Sequence, residues 1–304
     1  MQKLDLLLIG TPVIDYYAKI EDKKIQKKYK IEKGCTNYIS KKEILRLLRK
    51  IKIIYKNAGD NAKNVGVAFK ISGGGSAAYF GVVGKDEDGK FFKKSLKKYG
   101  IIDRTTTKIG ISGKIICLID EKKERTFIAN LGVGISNLKL EKIPQAKIFF
   151  CTNITLIHKK IGRKTIQLIE ALKKQGCKIA ISLESKNLIK KNIKKTIEIC
   201  KLADYLFLNK EELEAFGKQK KQILKLKAMI FLKLGGRGSI VIREGKIIAK
   251  QNAPKIKIKD LTGAGDFFAG GALAAIIKNK PLREVLKKAT ATAARVIKII
   301  GVEP

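Results

Sequence analysis

The sequence predicts an α/β fold in which a mostly parallel sheet is covered on both faces by helices, and three observations carry that expectation. Short apolar runs of strand length recur along the chain. Stretches with apolar residues at helical spacing lie between them. From about residue 147 onward the two alternate in a β-α-β-α rhythm, the order that a parallel sheet with crossover helices requires. At 304 residues, 45% of them hydrophobic, the chain is long enough to bury a large core.

Taken in order, Leu4 to Ile9 is an apolar run that stops at Gly10 and reads as a buried first strand. Ile14 to Ile39 mixes Tyr, Lys and Asp without a sustained apolar face and reads as a peripheral excursion. Lys41 to Lys52 carries Ile44, Leu45, Leu48 and Ile51 at helical spacing. A Gly/Asn-rich turn at Asn57 to Asn61 then opens a second helix, Ala62 to Ile71. Tyr79 to Val83 predicts a short strand. Asp88 to Tyr99 predicts a helix that Gly100 can cap. Between Thr105 and Ala129 the pattern turns to short β pieces separated by Gly110, Gly113 and the turn Asp120 to Lys123. Lys147–Phe150, Lys178–Ser182, Tyr205–Leu208 and Met229–Leu232 predict strands, and Ile161–Lys174, Leu188–Lys201 and Lys210–Leu226 predict the helices around them. Ser239–Ile242 and Ile247–Ala249, joined by Glu244-Gly245, read as an edge hairpin. Two helices close the chain, Phe267–Lys278 and Leu282–Ile299. No repeat or low-complexity linker interrupts it, so residues 1–304 are expected to form a single domain with a small β-rich lid from about 14–39 and 105–129.

Composition narrows the function. No stretch approaches the roughly 18 unbroken apolar residues of a membrane helix. Met1 to Asp5 carries an early acid and runs straight into the first strand, so no signal peptide is expected and a cytoplasmic location is. The five cysteines are scattered and odd in number, with no C-x-x-C pair, and His158 is the single histidine. That argues for reduced core thiols and against a zinc site. The net charge of +39, from 66 Lys and Arg against 27 Asp and Glu, is the oddest feature. It would favour polyanions, yet the lysines are spread along the chain with few aromatic neighbours, which suits a compositional bias better than a nucleic-acid function.

Neither a G-x-x-x-x-G-K-S/T loop nor a G-x-G-x-x-G fingerprint after a strand is present, so the commonest nucleotide cradles are missing. The strongest chemical candidate is Gly263-Ala264-Gly265-Asp266, directly ahead of a helix. Small residues let backbone amides approach a ligand, and the helix N-terminus favours an anion such as a transferring phosphate. Asp266 can accept the proton of an attacking hydroxyl. Read alone, the same four residues also make an ordinary glycine turn with an aspartate cap. Asp15, in a turn after the first strand, can chelate a vicinal diol or simply hold a turn.

The run Asp260-Leu261-Thr262-Gly263-Ala264-Gly265-Asp266, followed by Phe267-Phe268-Ala269-Gly270-Gly271, resembles the signature of the ribokinase-like (PfkB) carbohydrate kinases, with Leu261 where the family usually has Thr. Further family segments recur in order. Gly10 to Asp15 resembles the first strand end, and Ala58-Gly59-Asp60-Asn61-Ala62-Lys63-Asn64 resembles the Gly-Gly-x-x-x-Asn segment, with Asp60 in place of the second glycine. Gly84 to Gly89 resembles the G-x-D-x-x-G turn. Glu124-Arg125-Thr126 resembles the G-E-R-T strand, with Lys123 at its glycine. Asn209 to Glu212 matches N-x-x-E, and Leu234 to Ser239 resembles the L-G-x-x-G-S loop. Lys33 to Asn37 and Arg125 to Gly132 look most like the adenosine kinase-like branch, although Cys151-Thr152-Asn153 replaces its usual Glu-Gly-Tyr.

The resemblance implies a ribokinase-like three-layer α/β/α fold and transfer of the γ-phosphoryl of ATP to a hydroxyl of a nucleoside or sugar. It implies Asp266 as base and Gly263, Ala264 and Gly265 as anion hole. Asp15, Gly59 and Asn64 would line the acceptor site, and Asn209, Gly235 and Gly238 the ATP site. Glu212 would hold Mg²⁺ through water, and the family leaves room for a monovalent cation. A sugar kinase like ribokinase or fructokinase is the alternative, as is a weakly active relative that binds nucleic acid through its basic surface. The oligomeric state stays open between monomer and homodimer.

Overall fold

The computed structural model describes residues 3–19, 29, 36–119, 125–138, 143–299 and 301–302. Lys33 to Cys35, Lys123-Glu124 and most of the excursion between 20 and 35 therefore lie outside the described residues.

The main sheet has nine strands in the order Lys246–Gln251, Ser239–Arg243, Met229–Lys233, Tyr205–Asn209, Lys178–Ser182, Ala146–Thr152, Leu4–Ile9, Ala77–Phe80 and Ile102–Asp103. Pairing is parallel throughout except at the hairpin edge, where Met229–Lys233, Ser239–Arg243 and Lys246–Gln251 run antiparallel. Leu4–Ile9 shows why a continuous apolar run becomes a central strand. Leu6 and Leu8 enter one core and Leu7 and Ile9 the other, and all four are fully buried. The first core packs helices Asn61–Ile71, Glu87–Lys98, Ala264–Ile276 and Leu282–Val296 on one face. The second packs Lys159–Lys174, Ile193–Lys201 and Lys210–Glu214 on the other, giving the three layers that the sequence predicts.

A second sheet of five strands stands apart, in the order Thr36–Tyr38, Arg125–Asn130, Gly113–Ile119, Val13–Lys19 and Ile53–Gly59. It contains the expected lid segments, with three corrections. Ile53–Gly59 is a strand that runs into the expected turn at Asn57 to Asn61, and it pairs antiparallel with Val13–Lys19. Asp15 consequently sits inside a strand of this sheet rather than in a turn. Thr106–Lys108 leaves the lid altogether and pairs with Val82–Gly84. The expected strand Tyr79–Val83 is split in two at Gly81, which packs so closely that a Cβ there would lie 2.7 Å from Pro12 Cγ.

Two expected helices are also interrupted. Asn192 ends Lys186–Lys191 and starts Ile193–Lys201, its side-chain amide donating to Leu188 O at 3.0 Å. Gly217, at φ +55°, breaks the stretch after Lys210–Glu214 before the short helix Lys220–Leu224. Among the described residues no helix is long and apolar enough to cross a membrane. Cys117, Cys151, Cys177 and Cys200 are buried and unbridged.

The Gly84 to Gly89 turn joins the two sheets. Asp86 caps Glu87–Lys98 by accepting from Gly89 N at 2.9 Å, and it also accepts from Ser112 N at 2.9 Å. Asp88, buried in the first turn of that helix, accepts from Tyr16 Oη at 2.5 Å, pairs with Lys114, and lies 3.5 Å from Lys56 Nζ. These three partners come from three adjacent strands of the small sheet.

Candidate active site

Sheet order reverses at Leu4–Ile9: later strands add first on its Ala77–Phe80 side and then on its Ala146–Thr152 side. A crevice forms at the carboxyl ends of strands at such a reversal. Gly10, Asn153, Glu184, Asn209 and Lys233 all lie at or just beyond strand carboxyl ends of this sheet.

The Asp15 corner is built from the small sheet and the start of Asn61–Ile71. Asp15 pairs with Asn57 across the strands. Its carboxylate occupies the space beside Gly59, where a Cβ would fall 2.4 Å from Asp15 Oδ2. Burial pushes the Asp15 carboxyl up to about 7, with nearby Asp60 adding to the shift and Lys63 opposing it. Asp60 caps Asn61–Ile71 by accepting from Lys63 N at 3.1 Å, and it accepts from Thr11 N at 3.1 Å and Tyr79 Oη at 2.7 Å. Its φ is +102°, a region that favours glycine. Asp60 thus keeps a glycine's backbone shape and holds it with side-chain hydrogen bonds. Lys63 is fully buried and donates to Ala58 O at 2.8 Å.

The Asp260 to Asp266 turn is fixed from within. Asp260 accepts from Thr262 N at 2.8 Å, Thr262 Oγ1 at 2.7 Å and Gly301 N at 2.9 Å. Gly263 has φ +74° and would drive a Cβ to 2.6 Å from Val302 Cγ1, so the turn needs glycine on both counts. Ala264–Ile276 begins at once, and no side chain caps its first turn. Asp266, 8% exposed, accepts from Asn64 Nδ2 at 3.0 Å, while Asn64 Oδ1 is buried with no hydrogen-bond partner. Burial pushes Asp266 up to about 7; Asn64 and Lys233 pull it down, and Asp60 and Glu212 push it further up. A Cβ on Gly265 would lie 2.8 Å from Lys233 Nζ, which places that ammonium over the turn. The two helices that carry Asn64 and Asp266 pack directly: at Gly270 a Cβ would come within 2.4 Å of Val65 O and 2.5 Å of Ala68 Cβ.

Asn209 and Glu212 are brought together as a capping box on Lys210–Glu214, with Glu212 N donating to Asn209 Oδ1 at 2.8 Å and Asn209 N to Glu212 Oε2 at 2.7 Å. Burial raises the Glu212 carboxyl, against the pull of Lys233. Gly235 and Gly238 bracket the loop after Met229–Lys233. Gly235, at φ +61°, faces open space, whereas a Cβ on Gly238 would strike Gln251 O at 2.0 Å. Gly238 is therefore required by the neighbouring strand. Among the described residues no group of three or more His, Cys, Asp or Glu could hold a metal ion. A single buried carboxylate such as Glu212 fits Mg²⁺ held mainly by water and ligand oxygens, since this ion keeps much of its hydration.

The start of Ala264–Ile276, the buried Asp266 carboxylate in its first turn and the Asn64 amide of Asn61–Ile71 form one arrangement. Residues 46–303 match the family described as pfkB family carbohydrate kinase. The chain belongs to that family.

This pfkB kinase is similar along its length to adenosine kinase 1 of Arabidopsis thaliana, at 24% identity covering 93% of this chain and 90% of the relative. It is 26% identical to the fructosamine kinase FrlD of Bacillus subtilis, covering 80% and 84% of the two chains. Its fold superposes on the adenosine kinase of Sinorhizobium meliloti with a TM-score of 0.88 at 23% identity, covering 100% and 96% of the two chains. The fold is accordingly the ribokinase fold in its adenosine kinase-like form, and the enzyme is a kinase with ATP as phosphate donor. Two residues of this pfkB kinase escape the motif reading. Lys233 is signalled only by a charge ending the apolar run Met229 to Leu232. Glu184 carries no motif at all.

Proposed function

We propose that the protein transfers the γ-phosphoryl of ATP to a hydroxyl of a nucleoside or sugar, with adenosine kinase-like chemistry, as one domain working in the cytoplasm. The observation that carries this is the Asn64 to Asp266 hydrogen bond at 3.0 Å, made beside the glycine turn under Lys233. It joins an acceptor-side amide to a base-side carboxylate at the start of an anion-favouring helix.

In this reading Asp15, Gly59 and Asn64 line the acceptor site, and the unpaired Asn64 Oδ1 takes a hydroxyl donor. Asp266 aligns the attacking hydroxyl and takes its proton. The amides of Gly263, Ala264 and Gly265, with the Lys233 ammonium, stabilise charge on the transferring phosphoryl. Asn209, Gly235 and Gly238 belong to the ATP side. Glu212 would hold Mg²⁺ through water, which would supply neutralisation of the ATP phosphates. A monovalent cation belongs to the same reading, and so do monomer and homodimer. The five-stranded sheet closes over the acceptor and keeps water from the phosphoryl group.

The names of the relatives favour a nucleoside over a free sugar. Coupled assays with ATP, Mg²⁺ and adenosine, inosine, ribose or fructose test this. Turnover on adenosine or inosine supports a nucleoside kinase, turnover on sugars alone a sugar kinase, and no turnover on any acceptor overturns the proposal.

A further inference from the structure

Gly301 and Val302, both buried, touch the two halves of the candidate site at once. On one side Gly301 N donates to Asp260 Oδ2 at 2.9 Å. The same carboxylate holds Thr262, through its N–H at 2.8 Å and its hydroxyl at 2.7 Å. Val302 is 1% exposed and fills the space that Gly263 leaves by lacking a side chain, since a Cβ there would meet Val302 Cγ1 at 2.6 Å. The glycine turn therefore rests on both residues.

On the other side they reach the small sheet. A Cβ on Gly301 would come within 2.7 Å of Asn57 Nδ2 and 3.7 Å of Tyr55 Cε2, so the backbone at 301 packs directly against the strand Ile53–Gly59. Gly301 also has φ +83°, so a side chain there would be strained as well as obstructed. Asn57 is the strand partner of Asp15, and Gly59, two residues on, makes room for the Asp15 carboxylate. The Asp15 corner thus meets residues 301–302 at Asn57.

The Asn64 to Asp266 hydrogen bond joins two helices, and neither end of it lies in the small sheet. Asp15 does lie there. Its placement relative to the glycine turn needs a support of its own, and the contacts of residues 301–302 supply one. Phosphoryl transfer is sensitive to such placement: an error of about 1 Å can cost about a hundredfold in rate.

We infer that Val302 is a positioning residue for phosphoryl transfer: with Gly301 it braces the Gly263 turn against Asn57, holding the sheet that bears Asp15 and the proposed anion hole at one separation. This rests on the kinase reading above and gives a role to a part of the chain that the reading leaves without one.

The test is a double-mutant cycle, with ATP, Mg²⁺ and whichever of adenosine, inosine, ribose and fructose is turned over. Val302→Ala removes the brace on the turn side and Asn57→Ala on the sheet side. Each should lower kcat by about tenfold and leave the KM for ATP within about twofold, the mark of lost alignment rather than lost binding. Because both cut one connection, the double variant should lose no more than the worse single variant, whereas independent losses would multiply to about a hundredfold. Val302→Thr keeps the branched shape and should hold kcat within about threefold of the native enzyme. Multiplied losses, an unchanged kcat in either single variant, or a Thr variant as slow as the Ala variant overturns the inference and leaves the kinase reading standing. A raised acceptor KM confined to Asn57→Ala would make Asn57 a direct acceptor contact and overturn it too. Absence of turnover by the native enzyme on all four acceptors sinks both. Should Val302→Ala fail to fold, the kcat of Asn57→Ala still decides.

Discussion

As the proposed base, Asp266 would draw its usefulness and its cost from one origin. Burial raises its pKa to about 7, which keeps it able to take a proton near neutrality. It follows that kcat/KM should climb with pH through a midpoint of about 7, read from a pH–rate profile. Stability should move the opposite way. The folded state holds this proton at pH values where the unfolded chain, with a carboxyl near 3.9, has lost it. Folding free energy therefore weakens as pH rises from about 4 to about 7 and levels off above. Asp266→Asn should lower kcat by about 10²- to 10⁴-fold and raise Tm at about pH 8 while leaving it nearly unchanged at about pH 4. Equal Tm shifts at both pH values would contradict this. Asp60 makes a different bargain, holding φ +102° by three side-chain hydrogen bonds. Asp60→Ala keeps the backbone strain and loses the bonds, whereas Asp60→Gly loses the bonds and the strain together. Urea denaturation should find the alanine variant less stable than the glycine variant by about 1–2 kcal/mol.

At the scale of elements, Asp88 fastens three strands of the small sheet to the helix Glu87–Lys98. Asp88→Ala would strand the Lys114 ammonium, whose side chain is 7% exposed, beside only the more distant Asp86. A loss of about 3 kcal/mol is expected in chemical denaturation. The residues of this clamp also show what the sequence revealed. The Gly84 to Gly89 turn, the glycine run before Asp266 and the Asn209 to Glu212 box were legible because each depends on local sterics or capping. Gly263 and Gly238 are glycines for reasons a neighbouring backbone or side chain imposes. Ile53–Gly59 was not legible: Ile53 and Ile54 are 40% and 52% exposed, so the strand has no clean alternation of buried and exposed residues. Lys233 and Glu184 were hidden for another reason. Their placement depends on strand ends brought together from across the sheet, which no local spacing encodes.

For the whole molecule, 66 cationic residues against 27 anionic ones make self-repulsion a property of the folded surface. Surface pairs such as Lys186 with Glu211 and Lys201 with Glu198 offset little of it, since exposed pairs contribute weakly. Screening should help this protein more than most. Raising NaCl from about 20 mM to about 500 mM should increase Tm by several degrees, followed by calorimetry. A Tm that stays flat or falls would show that the lysines are spaced widely enough not to repel.

The contact at Gly270 has a consequence for how such an enzyme could change over time. Because the helices bearing Asn64 and Asp266 meet backbone to side chain with no room for a methyl group, the distance between these two residues, the proposed substrate anchor and base, is effectively inherited as one unit. Drift in substrate choice must then run through positions outside that unit: the rim loops that follow the parallel strands and the exposed edge of the five-stranded sheet. Duplicated copies of this gene could explore new acceptors there while the phosphoryl-transfer geometry passes unaltered from one descendant to the next.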